Sequence, residues 1–443
     1  MTITTSMGLS RLTLATLTGI TLLNGCVDEQ EAREAEVSSD LLGGSAAETV
    51  TAWASIAADA ILRPDEASTA LRSPGPSAML MAQVQLAVYD AIAVIDGTYE
   101  PFSYPDGLHL LSDRRAAAAT AAYRILRTRV PGRAAHLDAQ YEATMDEIPF
   151  GLFKAFGVAL GEDVAEHYLA LRANDNIDNT TAWVQPTPGP GVFEPVAPSP
   201  PADYKMVFVQ PFTFSIAQSS SFFPPPPPAL TSPEYAAAWT EARDLGRSTS
   251  AVRTEAQKQL ALWAAEHPFR WTARNLIDLA VAKDLGAMDA ARFFALTFTS
   301  VADTLQTGMS AKYHYTFWRP FHAIPRADTD GNVATAGDPT WTPLLNVNHP
   351  EYPAGHGFVG AGSMVEAVRA FFDTDAVSWT LTTVGVAGLT ETSRSYTSLD
   401  ALAADVMEAR ILAGLHYRFS MEAGRAQGEA VVDHIQARFF HRD

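Results

Sequence analysis

The sequence holds one cysteine in 443 residues, Cys26. A single thiol excludes an intrachain disulfide, and it excludes iron–sulfur clusters and thiolate zinc sites, which need several thiolates. Basic residues are also scarce. Lys and Arg number 31 against 50 Asp and Glu, for a formal net charge of −19. That balance argues against a nucleic-acid partner, because phosphate neutralisation needs a basic surface. Past the N-terminal segment there is no unbroken apolar run of about 18 residues, the length a membrane span requires. Strand patterns are few and no short-period repeat occurs. No H-E-x-x-H motif is present, which leaves a divalent-metal hydrolase without its usual ligands.

What remains is a globular composition. Hydrophobic residues make up 47% and charged residues 18%, enough apolar content to exclude disorder over most of the length. At about 150 residues per domain the length suits two or three domains, or one large one.

The N-terminus reads as an export signal over 1–26. Arg11 is its only charge, Leu12 to Leu23 is mostly apolar, and Leu23-Asn24-Gly25-Cys26 follows. The apolar run is too short for a stable span. The lone cysteine sits where a bacterial lipoprotein signal would place it. The expected location is therefore exported and lipid-anchored to a bacterial membrane, otherwise periplasmic or secreted. Residues 27–48 are acidic and small, a tether composition.

The body of the chain follows helical periodicity. Trp53, Ile56, Ala57, Ala60 and Ile61 share one helical face. Pro76-Ser77 opens a helix that runs to Ile95 and stops at Gly97. Further helices are expected at 114–129, 134–148 and 152–172. From 174 to 231 the pattern breaks into Pro, Gly, Ser and Thr, including the run Pro224 to Pro228. Helices resume at Ser232-Pro233, with candidates at 253–266, 271–284, 288–312, 357–372, 401–413 and 421–440. The expectation is an all-α protein with two helical bundles, 49–173 and 232–443, and a Pro-rich loop between them.

Three segments in the last third carry chemistry. They are Lys312-Tyr-His-Tyr-Thr-Phe-Trp-Arg319-Pro320, His349-Pro-Glu-Tyr-Pro353-Ala354-Gly355-His356-Gly357, and Arg410-Ile-Leu-Ala-Gly-Leu-His416-Tyr-Arg-Phe-Ser420. A Gly-His-Gly turn entering a helix presents backbone N–H groups at the positive end of the helix dipole, an anion site. His356 there could hand a proton to a bound anion. Lys312 and Arg319 are seven apart, about two helical turns, so a helix would put both on one side. Pro320 should end that helix at Arg319. Ser420 could cap the last helix. Taken singly, each segment reads as well another way: Lys312 and Arg319 as snorkelling surface residues, Arg410 as the partner of Glu408 or another carboxylate, and His416 as a satisfied core histidine. Taken together, three cations in apolar, aromatic sequence imply a buried oxyanion.

The order of these segments resembles the signature K-x6-R-P, P-S-G-H, S-R-x5-H-x3-D of the type-2 phosphatidic acid phosphatase and vanadium haloperoxidase superfamily. The chain is most similar to its soluble bacterial haloperoxidase-like branch, a resemblance that also includes Phe223 to Leu230 and Ala82 to Ile95. The resemblance implies vanadate as cofactor, with His416 as axial ligand or, in a phosphatase, as the phosphate nucleophile. Lys312, Arg319 and Arg410 would hold the equatorial oxygens, and the Gly355 N–H would add a hydrogen bond. His356 would be the acid–base group, and Lys312 would polarise bound peroxide. The implied partners are hydrogen peroxide, a halide and a small organic acceptor, with a homo-oligomer left open.

Three departures stand out. Ala354 replaces the motif serine, which removes one hydrogen bond to the oxyanion, worth about 1.5–3 kcal/mol to a charged partner. Ala409 replaces the serine before Arg410. Ser420 replaces the motif aspartate, leaving His416 without its usual orienting carboxylate, which tilts the reading toward vanadate over phosphate chemistry. His349 occupies a position that is aromatic in fungal chloride oxidisers and histidine in algal bromide oxidisers, so the resemblance leans to bromide or iodide. The expected activity is vanadate-dependent oxidation of halide by peroxide. An acid phosphatase acting through a phosphohistidine at His416 is the second reading, and a non-catalytic oxyanion-binding lipoprotein, kept open by Ala354 and Ser420, the third. His314, His322, Glu351 and Asp303 lie near the motifs. The histidines could pack or act, Glu351 could gate substrate or sit in a turn, and Asp303 could pair with a site cation or face water.

Overall fold

The computed structural model describes residues 44–105, 107 and 109–442. The expected signal segment, Cys26 and most of the tether lie outside the described residues. The chain is all-α. Helices α1 (Ala46–Leu62), α2 (Pro74–Asp96), α3 (Arg114–Arg129), α4 (Ala134–Glu147) and α5 (Leu152–Leu171) form the N-terminal half. The C-terminal half contains α6 (Pro233–Gly246), α7 (Glu255–Trp263), α8 (Pro268–Ala282), α9 (Ala287–Tyr315), α10 (Pro320–Ala323), α11 (Val365–Phe372), α12 (Leu399–Leu412) and α13 (Arg418–Gln436). Wide π-type turns over Gly357–Met364 lead into α11.

The local causes are readable. Helix α1 starts inside the expected tether because Ser45 and Glu48 form a capping box: the Ser45 hydroxyl accepts from the Glu48 N–H at 3.1 Å, and the Glu48 carboxylate accepts from the Ser45 N–H at 2.7 Å. Helix α2 begins at Pro74, two residues before the expected start, and ends where Gly97 takes φ +70°. By length and composition α2 is the one described helix apolar enough to cross a membrane, yet that stretch is wholly buried in the protein. It packs against α9 more extensively than any other described pair. The two halves therefore share one continuous core, running from Val50 to Phe440. A two-stranded antiparallel hairpin, β1 (Trp379–Thr382) and β2 (Ser393–Tyr396), was not foreseen.

The irregular stretch 174–231 contains two short 3₁₀ turns, Tyr204–Phe208 and Ile216–Phe222. Asp303 is one of the residues that fasten it, beside Thr307, whose hydroxyl donates to the Ser219 carbonyl at 2.7 Å. Asp303 neither meets a site cation nor faces water, as the sequence had suggested. It is fully buried on α9, where its carboxylate accepts from the N–H groups of Phe212 (2.7 Å) and Thr213 (2.9 Å) and from the Thr213 hydroxyl (2.5 Å). Burial raises its pKa, and those three donors oppose the rise.

Removing this carboxylate strands buried donors. Asp303→Ala should lower unfolding free energy by about 3 kcal/mol, read by urea denaturation. It should also open 204–222 to limited proteolysis before the helices are cut.

Candidate active site

Helix α9 carries Lys312 in its last turn but stops at Tyr315, where Thr316 adopts φ +49° and its N–H bonds the Lys312 carbonyl at 2.8 Å. Arg319 lies beyond, in extended backbone (φ −88°, ψ 162°) before Pro320, as a residue preceding proline must. The expectation that Lys312 and Arg319 share a helical face is therefore wrong. They approach each other because the chain turns between them.

Both side chains are fully buried, and Arg410 is 4% exposed. Lys312 Nζ donates to the carbonyls of Pro350 (3.0 Å) and Glu351 (2.8 Å). Arg319 donates to the carbonyls of His349 (2.6 Å) and Leu415 (2.8 Å) and to His349 Nδ1 (3.0 Å). Arg410 Nη1 donates to the Ala264 carbonyl at 2.7 Å, and its buried Nε has no hydrogen-bond partner among the described residues. Arg410 does not pair with Glu408, whose carboxylate is taken by Arg418 at 2.8 Å. Carbonyl dipoles thus hold three cations that lack matching counter-charges.

One carboxylate faces them. Glu351 Oε1 accepts from His416 Nδ1 at 2.8 Å and from the Tyr417 N–H at 3.1 Å. Glu351 is neither gate nor turn residue. It supplies the orienting carboxylate that His416 was expected to lack, and with Glu351 ionised it fixes the imidazole proton on Nδ1 and leaves the Nε2 lone pair free. Ser420 does not cap the last helix. Helix α13 begins at Arg418 with Tyr417 at its N-cap, and Ser420 is buried in the first turn.

The electrostatics report the cost of this arrangement. Burial, together with Arg319, pushes Lys312 well below the usual lysine range, against the pull of Glu351. Burial brings Arg319 down to about 10 and Arg410 down to about 9, the latter helped by Arg319. Guanidinium does not give up its proton in proteins, so these shifts measure how poorly the cations are compensated. Burial and the nearby cations hold His349, His356 and His416 well below the ordinary histidine value, hence neutral. Burial lifts Glu351 to about 7, with Lys312 and Arg319 opposing.

Lys312, His349, Gly355, His356, Arg410 and His416 line a single cavity of about 390 Å³. Arg319 sits behind that wall, against His349. Gly355 and His356 start the helical segment that continues into the π turns, so their N–H groups lie at its open end. Ala354 is buried where the motif serine would stand. His314 is exposed, with its ring 5.5 Å from Phe223. His322 packs edge-on to Phe193 at 5.6 Å, and burial lowers it to about 4. Both are packing residues. The role of Glu351 was missed because neither spacing nor periodicity ties position 351 to 416; only the folded chain does.

Residues 292–441 match the family model of the VCPO second helical-bundle domain. The structure is similar to that of a bacterial vanadium-dependent iodoperoxidase (TM-score 0.73, 20% identity, covering 88% of this chain and 97% of that one). It is also similar to the apo form of a bacterial vanadium-dependent chloroperoxidase (TM-score 0.64, 15% identity, 82% and 94% covered) and to a holo form (TM-score 0.64, 17% identity, 85% and 94% covered). No curated protein matches the sequence. The chain has the vanadium haloperoxidase fold, and within it residues 292–441 carry the match to that family's second helical-bundle domain.

Two outcomes follow from the charge imbalance. Arg410→Met removes a buried cation that no carboxylate matches, so the protein without oxyanion should keep or raise its melting temperature. Orthovanadate should stabilise the wild type by about 2.7 kcal/mol at 100 times Kd, and this variant should lose that shift in a thermal titration. Glu351 has its pKa raised from 4.5 to about 7 on folding. Its share of stability is therefore fully present below 4.5 and fades as pH rises through 7. Glu351→Gln, neutral throughout, should flatten that part of the stability–pH curve measured by denaturant unfolding.

Proposed function

We propose that the chain is a vanadate-dependent haloperoxidase, using hydrogen peroxide to oxidise bromide or iodide to a hypohalous-acid equivalent. The observation that carries this reading is the buried excess of cation. Lys312, Arg319 and Arg410 face one carboxylate, Glu351, beside a histidine whose Nε2 is available. An oxyanion of charge near −2 fits such a donor set, and Arg410 Nε, unpartnered among the described residues, gives it a further donor. Vanadate, when bound, supplies a Lewis-acidic centre that activates peroxide toward halide. Lys312 and the two arginines would hold its oxygens and offset the negative charge that develops there. His416, oriented by Glu351, offers Nε2 as ligand. His356, neutral and on the cavity wall, takes the peroxide proton and returns one to the leaving oxygen, so that halide, peroxide and one proton give hypohalous acid and water. His349 is held by Arg319 on the same wall, where a halide would approach.

The second reading, an acid phosphatase with His416 as nucleophile, gains from the same Glu351–His416 pair. An oriented imidazole suits a phosphoryl acceptor, and the missing motif aspartate no longer counts against it.

A paired assay separates the two. One arm contains orthovanadate, hydrogen peroxide and bromide or iodide with a chromogenic acceptor. The other contains a chromogenic phosphate monoester without vanadate. Halide oxidation that requires vanadate, and that falls at least 1,000-fold in His416→Ala, is the expected result. Phosphate release alone would overturn it. Glu351→Gln should weaken vanadate binding 10- to 100-fold, the usual effect of removing a ligand's hydrogen-bonded support.

A further inference from the structure

The cavity that holds the oxyanion residues extends well past them. Four apolar side chains of α9, Phe298, Val301, Leu305 and Met309, line it together with Lys312. Their spacings of three and four put them on one helical face, and fourteen residues of helix run about 20 Å. Phe269, Trp271, Phe358 and Val406, from other segments, line it as well. All of these are at least nine-tenths buried. The groups at the other end of the cavity are partly exposed: Asp203, Val347, Asn348, His349, His267 and His356. The void is thus a pouch, open and polar beside the oxyanion site and apolar along α9.

Protein interiors leave few voids larger than a water molecule, and an apolar void is not filled by water. A volume of about 390 Å³ lies in the range of sites for small organic ligands. Before Lys312 the α9 residues that line the cavity are uncharged, and the Glu266 carboxylate, also on the lining, is already paired with Arg270 and Arg274, so a charged tail along α9 would find no free partner among these groups. At the polar end His267 Nδ1 is buried without a hydrogen-bond partner among the described residues, a free position for a hydroxyl or carbonyl.

We propose that the pouch binds the apolar tail of an uncharged organic acceptor and presents its electron-rich head, of phenol or enol type, beside His356 and Lys312. This rests on the haloperoxidase reading above. The acceptor is then halogenated in place: its carbon–hydrogen bond breaks, a carbon–halogen bond forms from the hypohalous acid, and the released proton leaves with the hydroxide as water. Carbon is oxidised and halogen reduced, with hydrogen peroxide as the ultimate oxidant.

The test uses the chain from residue 27 onward, loaded with orthovanadate, with 4-heptylphenol and phenol as probes in isothermal calorimetry. The expected result is saturable one-to-one binding of 4-heptylphenol at least 100-fold tighter than phenol, since each buried methylene adds to affinity. Val301→Trp should weaken 4-heptylphenol at least 10-fold. Thermal melting reads whether the variant folds, and Val406→Trp, on the α12 part of the lining, replaces it if it does not. Equal affinity for the two phenols, or no loss in a folded filled variant, overturns the proposal. Triiodide formation from iodide and peroxide, without any phenol, is measured on the same wild-type preparation. Its absence alongside tail-dependent binding strikes the haloperoxidase reading and supports the pouch as a binding site. Its presence without tail dependence overturns the pouch alone.

Discussion

Everything in the C-terminal half is arranged around three cations that an apolar helical core has no ordinary reason to bury. Lys312, Arg319 and Arg410 come from three separate segments, and each is satisfied mainly by backbone carbonyls. Carbonyl oxygens meet the hydrogen-bonding need of a cation but return only part of the solvation it loses on burial. Net charge therefore remains in the interior, held there by packing, and it is available to any anion that can enter. Preorganisation of this kind has a steep energetic cost before binding and little afterward. The depressed ionisation of Lys312 and of the three site histidines has the same origin.

The geometry that holds them close is a seam between two helical segments. The π turns over Gly357–Met364 lie almost backbone to backbone against α13. A side chain at Gly428 would meet the Phe358 carbonyl at 2.3 Å, and one at Gly424 would meet the Ala354 carbonyl at 2.7 Å. With glycine at both positions the two backbones close together. The start of α13, and with it His416, is thereby carried up to the turn that bears Gly355 and His356. A wide turn also leaves more room per residue than an α-helix, and π segments occur often at functional sites. These contacts help to set the distance between His416 and the turn that bears His356.

Much of this was legible before the fold was known. Helix α3 runs from Arg114 to Arg129 as its pattern indicated, and α2 stops at the glycine that marks its end. Six of the seven expected site residues share one cavity wall. The failures are informative because they are all tertiary. Lys312 and Arg319 do not share a helical face, since a left-handed Thr316 ends α9 early. Asp303 fastens a loop 90 residues away in sequence. Glu351 reaches His416 across 65 residues. Periodicity describes one element at a time, and none of these partners lies on the element that carries the residue.

Glu351 also changes what the departures at 420 and 354 mean. An aspartate at 420 would add a second carboxylate to a buried space already occupied by Glu351, and two adjacent carboxylates cannot both ionise there. Serine keeps a hydroxyl beside Glu351 that favours its charged form and adds no competing charge. The loss of aspartate is thus matched by a carboxylate from another segment, with His416 still oriented. Ala354 has no such replacement: its neighbours in the buried cluster are Ile411 and Met421, both apolar. The cluster therefore keeps the orientation of His416 and its positive charge but lacks the hydroxyl that a serine at 354 would add. On the reading proposed above, that combination would lower affinity for an oxyanion without altering how the imidazole of His416 is aimed, because Glu351 holds the ring.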